Sequence, residues 1–194
     1  MLKNHFTAKE YCKIKEQINK SNVISDKEVE KKSELTEFNG YTELNNKKIV
    51  NMILILSSDG VLKTKLLKEM FYADFLYYKN FGASITGLEY AKLDYGPVPN
   101  CYEKILDYCI EKHLIQYQVE YEKDYECHKI KQIAKNDIAI FNKDELNTIT
   151  KVKRYFQDYK SKDIVDFSHK EKGFIETEFY KNISYDYAFN INLV

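Results

Sequence analysis

The stretch Tyr95-Gly96-Pro97-Val98-Pro99 contains both prolines of this 194-residue chain, and it limits the possible folds more than any other segment. Proline disfavours the α-helical conformation for the residue before it, so Gly96 is expected at a corner and not inside a helix. Apolar residues recur at helical spacing before this corner, at about 63–79, and again after it, at about 102–110. The segment 65–102 therefore predicts one compact unit in which two amphipathic helices flank a turn.

The rest of the pattern predicts an α+β fold that is predominantly α. Pro99 suits the first turn of the helix after the corner, and apolar residues at helical spacing over 49–56 predict a buried helix. The period then changes to two, which indicates antiparallel strands at 115–121 and 126–134, with a short piece at 137–141 extending the sheet. We expect a compact helical domain with a small antiparallel β-hairpin or three-stranded sheet.

Residues 1–40 differ in composition from the rest of the chain. They are polar and rich in lysine and glutamate, and they contain too few apolar residues to fold alone. The turn signal Asn39-Gly40 marks a boundary. We therefore predict a polar helical N-terminal extension at 1–40 and the main domain at 41–194. A second interpretation is that the extension is an arm that becomes ordered when a partner binds.

The charge of the chain argues against a dedicated nucleic-acid coat protein. Lysine plus arginine and aspartate plus glutamate number 30 each, so the net charge is zero, whereas such a protein is strongly basic. Arg154 is the one arginine. Lysine cannot form the two-pronged hydrogen bonds by which arginine reads guanine or clamps phosphate. Sequence-specific DNA reading through arginine is therefore disfavoured.

The chain shows no sign of a membrane or secreted location. No apolar run reaches the roughly 18 residues that span a bilayer, and the N-terminal sequence lacks the apolar core of a signal peptide. We expect a cytoplasmic protein with no membrane partner. The reducing cytoplasm would keep its four cysteines as free thiols; they are Cys12, Cys101, Cys109 and Cys127.

Side chains that could carry chemistry are present without the spacing that chemistry requires. Cys127-His128 are neighbours on a predicted strand and so face opposite sides, and no second ligand pair supports a zinc site. Ser168-His169 are sequence neighbours, which does not make them a catalytic dyad. No phosphate-binding or dinucleotide-binding glycine motif occurs. We expect no catalytic residue, no cofactor and no metal, and hence no enzyme.

Several polar and aromatic residues leave two interpretations open. Asp74 falls on the apolar stripe of its helix, so it lies either at the edge in water or buried, accepting hydrogen bonds from backbone or a tyrosine hydroxyl. His169 is either bonded to backbone at a helix junction or a contact residue in a functional groove. Tyrosine is common both in cores and at interfaces. The candidates for binding a partner are Tyr77, Tyr78, Tyr90 and His169.

Two blocks of motifs follow one another in this chain. The first contains Phe71-Tyr72-Ala73-Asp74-Phe75 and the proline corner, and the second runs from Asp166-Phe167-Ser168-His169 to Gly173. Together they resemble the SocA-like antitoxin domain, also called the Panacea domain, over about residues 39–188. The motif residues that we expect to be structural are Lys65, Leu67, Tyr72, Asp74, Gly87, Tyr95, Gly96, Pro97, Val98, Tyr102, His169 and Gly173.

This resemblance implies a bacterial antitoxin of a type II toxin–antitoxin pair, or a phage-associated protein. Such a domain neutralises a co-encoded toxin by direct contact. One family member is an adaptor that delivers its toxin to a protease, so a protease is a second expected partner. The alternative is a DNA-binding transcriptional regulator that uses the helix–hairpin region and surface lysines. Many relatives carry an N-terminal DNA-binding module, but residues 1–40 have no C-x-x-C motif and are too short for a helix-turn-helix domain. DNA is therefore the less favoured partner.

Overall fold

The structure, a computed structural model, describes residues 34–122 and 125–193. Its helices are α1 (Asn46–Leu56), α2 (Lys63–Phe81), α3 (Tyr102–Glu111), α4 (Lys143–Tyr155), α5 (Ser161–Ser168) and α6 (Lys172–Glu176), with 3₁₀ helices at Ile138–Ile140 and Tyr185–Asn190. Its strands are β1 (Val61–Leu62), β2 (Tyr90–Leu93), β3 (Gly96–Pro99), β4 (Ile115–Glu122) and β5 (Tyr125–Gln132). The predicted class, α+β and predominantly α, is confirmed.

Helix α2 is the centre of the fold. Every residue from 66 to 78 is buried, so the helix is covered on all sides, as expected for a core helix and not for a surface one. The helix ends where Gly82 takes a left-handed conformation and its backbone N–H donates to the carbonyl of Tyr78. The rings of Phe71, Phe75 and Tyr185 pack against one another in the surrounding core, with centroids 4.0 and 4.3 Å apart along this series. None of the described helices is both long and apolar enough to cross a bilayer.

The larger sheet is antiparallel, and its strands lie in the order β1-β5-β4. The hairpin of β4 and β5 matches the prediction from the alternating pattern. The predicted third strand at 137–141 is wrong, because this segment contains the 3₁₀ helix Ile138–Ile140. The Asp137 side chain caps that helix by accepting from the N–H of Ala139. The two-residue strand β1 takes the third place instead, and it is too short to show a period in sequence.

The proline corner is a β-hairpin of its own. Strand β2 pairs with β3 so that Leu93 lies opposite Gly96 and Tyr90 lies opposite Pro99, which makes residues 94–95 the turn. Pro99 therefore ends a strand, and its predicted place in the first turn of a helix is wrong, since α3 begins at Tyr102. Strand positions suit proline where no ladder hydrogen bond is needed from its nitrogen.

The described part of the predicted extension contacts the main domain. The carbonyls of Asn39 and Gly40 accept from the hydroxyl and the backbone N–H of Ser84 at 2.8 and 2.9 Å. The carbonyl of Glu37 accepts from the N–H of Tyr185. Residues 1–33 lie outside the described residues, so the helical extension and its boundary at residue 40 stay a prediction.

Candidate functional site

Asp74 organises the loop that follows α2. One carboxylate oxygen accepts from the backbone N–H groups of Ile85 and Thr86 at 2.9 and 3.0 Å. The other accepts from the Thr86 hydroxyl at 2.5 Å and the Tyr90 hydroxyl at 2.7 Å. Burial raises the pKa of Asp74 to about 6, while these hydrogen bonds oppose the rise. The buried, hydrogen-bonded interpretation of Asp74 is therefore confirmed.

Gly87 fixes the same loop from its other side. Its φ of 75° lies in the left-handed region, and a Cβ atom here would stand 2.6 Å from the carbonyl oxygen of Glu43. The loop is further tied by the N–H of Asn45, which donates to the carbonyl of Thr86 at 2.9 Å. Asp74 and Gly87 together hold the connection from α2 to the proline hairpin in one conformation.

Tyr72 joins the two motif blocks. Its hydroxyl, buried in the core, donates to the carboxylate of Glu171 at 2.9 Å, and Glu171 lies at the junction of α5 and α6. The same carboxylate accepts from the backbone and side-chain nitrogens of Asn192, each at 3.1 Å. Burial raises the pKa of Glu171, and the hydrogen bonds from Tyr72 and Asn192 lower it. One carboxylate thus links the central helix to the C-terminal segment.

Replacing Tyr72 by phenylalanine is expected to lower the free energy of unfolding by about 1–2 kcal/mol, because a buried acceptor loses a hydrogen bond while the ring stays in place. Chemical denaturation measures this change. Tyr108→Phe is the matched control, since Tyr108 is a tyrosine on α3 with 40% of its surface exposed. Equal losses in the two variants would show that the bond to Glu171 contributes nothing.

Most of the other motif residues also have identifiable contacts. Lys65 Nζ donates to the carbonyls of Gln157 and Tyr159 at 3.0 Å each. Any residue other than glycine at position 173 would bring a Cβ atom to 2.9 Å from the Ile183 side chain, which would have to move. The remaining packed or partly packed members are Leu67, Gly96, Pro97, Val98, Tyr102 and His169. Tyr95 differs, because it lies in the hairpin turn with 73% of its surface exposed and cannot stabilise the domain through burial.

Three of the four candidates for partner binding, Tyr77, Tyr78 and Tyr90, are buried, and His169 is partly buried. Tyr90 is fully buried between aromatic rings and donates to Asp74, so a partner cannot contact it and its candidacy is wrong. Tyr77 and Tyr78 are also almost completely buried.

The aromatic side chains that cover Tyr77 and Tyr78 are themselves exposed to solvent; they are Tyr41, Phe81 and Phe189. We call these three residues the aromatic surface.

The aromatic surface lies at the C-terminal end of α2. The rings of Tyr41 and Phe189 have centroids 6.4 and 6.0 Å from that of Tyr78, and they expose 48% and 61% of their residue surfaces. Phe81 packs on Tyr77 at 4.5 Å. These three residues carry no sequence signal, because an isolated aromatic residue gives no sign of whether its ring faces solvent.

Basic side chains meet where α2, β2 and the end of α5 come together. Lys68 is only 1% exposed, and burial lowers the pKa of its ammonium group to about 7. His169 lies nearby, and burial together with the positive charges of Lys68 and Lys92 lowers the pKa of its imidazole. We call Lys68, Lys92 and His169 the basic cluster. Lys68 was missed in sequence because lysine within a helix is normally taken to face water.

The hairpin on which the DNA-binding alternative depends carries mixed charge. Lys129 pairs with Glu120 at 3.2 Å, and His128 lies 3.2 Å from Glu126. A paired lysine is less available to phosphate, and the alternative stays a prediction. Within residues 34–122 and 125–193, no group of three or more histidine, cysteine, aspartate or glutamate residues is placed to hold a metal ion.

A match to a family model establishes the family relationship that the sequence motifs indicate. The family model for the SocA-like antitoxin, Panacea domain, matches residues 66–174, which is more than half of the chain. The chain belongs to this family. Asp74, Gly87 and the Tyr72–Glu171 pair lie inside the matched Panacea range, whereas Tyr41 and Phe189 lie outside it. No curated protein and no solved structure matches the chain. Membership of the Panacea family supports a role of the toxin–antitoxin type in general.

Proposed function

We propose that this protein is a cytoplasmic antitoxin that neutralises a co-encoded toxin by direct contact, through the aromatic surface. The family match over residues 66–174 is the observation that carries the proposal. We further propose that the protein acts by binding and not by catalysis. Its two buried motif carboxylates, Asp74 and Glu171, support this because internal hydrogen bonds already occupy them.

The geometry of Tyr41 favours the aromatic surface as the contact region. Its φ of 51° places a bulky residue in the left-handed region, which is unfavourable for residues other than glycine. The N–H of Tyr41 donates to the carbonyl of Thr36 at 3.0 Å, so the turn holds this conformation and presents the ring over Tyr78. Exposed aromatic rings grouped in this way are typical of protein interfaces.

The test is co-expression with the toxin encoded beside this protein. We expect wild-type protein to restore growth and to co-purify with the toxin. The double variant Tyr41→Ser/Phe189→Ser should bind at least about tenfold more weakly, because an aromatic residue central to an interface contributes roughly 1–2 kcal/mol or more. Tyr108→Ser is the matched control, since Tyr108 is a similarly exposed tyrosine on α3, and it should retain binding.

Different outcomes contradict different parts of the proposal. If wild-type protein neither binds nor relieves the toxin, the antitoxin role fails. If the double variant binds as tightly as wild type, the aromatic surface is not the contact region. Toxin half-life separates direct neutralisation from the adaptor mechanism, because an adaptor shortens that half-life in a protease-dependent way, whereas neutralisation by contact leaves the toxin intact in a complex.

A further inference from the structure

We propose that the basic cluster of Lys68, Lys92 and His169 is a binding site for a small oxyanion, either a phosphate group or a carboxylate. Anion binding at this cluster does not require the toxin, so it can be measured on the isolated protein. It concerns side chains that neither the Asp74 network nor the Tyr72–Glu171 link uses.

Lys68 is a buried amine with no acidic partner among the described residues. Its side chain ends beside β3 and the end of α5, where a Cβ added at Gly96 would lie 2.9 Å from Lys68 Cε and 2.5 Å from Ser168 Oγ. Among the described residues its Nζ has neither a hydrogen bond nor an ion pair, and burial is the one cause that lowers its pKa. A buried ammonium group without a partner is costly, so proteins normally pair it.

His169 presents a second polar atom without a partner. Its Nε2 is buried and makes no hydrogen bond within the described residues. The ring is held by stacking on Phe174, with centroids 4.4 Å apart and planes within 8°. Lys68 and the end of α5 meet at Gly96, whose missing Cβ would lie 2.9 Å from Lys68 Cε and 2.5 Å from the Oγ of Ser168, the residue before His169. Burial, and then the charge of Lys68, lowers the pKa of the imidazole. An anion between them would pair Lys68 and accept from a protonated Nε2.

Lys92 adds a second lysine that forms no ion pair with a carboxylate among the described residues. Its Nζ donates to the carbonyl of Thr177 at 2.8 Å and lies 4.6 Å from the centre of the Phe174 ring, on which His169 also stacks. The acidic side chain that acts on His169 is that of Asp166, which is exposed. The ion pairs of the described residues include no member of the basic cluster.

The burial of these groups limits what the ligand can be. Lys68 and the Nε2 of His169 are covered, so a broad surface such as duplex DNA cannot reach both. A group as small as a carboxylate or a phosphate can accept charge-assisted hydrogen bonds from both, and these are the strongest hydrogen bonds available to either residue. A bound anion would favour protonation of both Lys68 and His169, whose pKa values are lowered without it.

The test follows the pKa of His169 by NMR of isotope-labelled histidine side chains in the full chain, with His169→Gln used to assign the signal. Sodium phosphate and sodium acetate are the probes, each compared with sodium chloride at equal ionic strength. We expect a saturable upward shift of the His169 pKa with at least one probe, because a bound anion favours the protonated ring. Phosphate acting alone indicates a phosphate ligand, and acetate acting alone indicates a carboxylate.

Lys68→Met is the decisive variant. Methionine has a similar shape without the charge, so the variant should unfold at a higher temperature than wild type and yet bind the anion at least about tenfold more weakly. Lys170→Met is the matched control, because Lys170 is an exposed lysine next to His169, and it should respond as wild type does. An unshifted His169 with both probes, or an equal response in Lys68→Met, would overturn the oxyanion site.

Discussion

Asp74→Ala is expected to lower the free energy of unfolding by about 4 kcal/mol, because each buried donor left without an acceptor costs roughly 1–3 kcal/mol. The variant removes the acceptor of two backbone N–H groups, those of Ile85 and Thr86, which have no freedom to turn elsewhere. The hydroxyls of Thr86 and Tyr90 lose the same partner but can rotate. A loss of this size is a large fraction of the stability of a single domain.

Asp74→Asn is the matched control for this effect. Its amide oxygen can still accept from both backbone N–H groups, and the two hydroxyls can rotate to accept from its NH₂ group. We expect it to lose about half as much stability as Asp74→Ala or less. Urea denaturation followed by circular dichroism measures both variants. Unchanged unfolding of Asp74→Ala together with lost toxin binding would mean that Asp74 contacts the partner and does not support the fold.

The same pair of proteins should differ in their response to pH. The pKa of Asp74 rises from 3.8 to about 6 on folding, so the folded state holds this proton more firmly than the unfolded state. The stability that the protonated carboxyl contributes is therefore complete below about pH 4 and is lost as the pH rises through 6. Asp74→Asn has no such proton, and the stability difference between wild type and this variant should fall over that window.

Gly87→Ala is expected to destabilise the domain by about 3 kcal/mol or more, since a left-handed alanine costs roughly 1–2 kcal/mol and overlap with fixed backbone adds to it. The added Cβ would lie 2.6 Å from the carbonyl oxygen of Glu43 and 2.7 Å from that of Thr42. Both oxygens belong to main chain, so neither can swing aside as a flexible side chain would. Relief would require moving the segment that leads into α1.

Gly82→Ala separates the two contributions to that loss. Gly82 has a φ of 74°, almost the same as the 75° of Gly87, but no atom lies within 4 Å of the position of its missing Cβ. Its replacement should therefore cost only the conformational part, about 1–2 kcal/mol. The two midpoints in denaturant give the difference directly. If both alanine variants lose the same stability, contact with the 42–43 carbonyls has no energetic effect.

The helices were largely predictable because their signals are local. The apolar spacing placed α1 and α2 nearly where they lie, and the alternating pattern placed β4 and β5. The secondary-structure prediction was wrong where long-range contacts decide which residues pair in a sheet. The strand that completes the sheet, β1, is two residues long, and its partner β5 lies almost seventy positions further along the chain. Pro99 ends a strand because it pairs with Tyr90 across the hairpin, which proline statistics do not reveal.

The candidate sites were less predictable than the fold. Sequence showed Asp74 on an apolar stripe and left two interpretations, and the choice between them depended on the loop at 84–90 folding back over α2. The tyrosines could not be divided into core and surface members, so Tyr90 was wrongly considered accessible. Lys68 and His169 are about one hundred positions apart and share no motif spacing. Only the packing of α5 against α2 and β3 brings them together.

The C-terminal part of the described chain, from residue 183 to 193, packs against the core and completes it. The side chains of Ile183, Tyr185 and Leu193 are fully buried, although all three follow the residues that the family model matches. The backbone N–H and the side-chain amide of Asn192 both donate hydrogen bonds to the carboxylate of Glu171. A fragment of this protein that ends at residue 174, where the family match ends, would therefore leave part of the surface of α2 exposed to water.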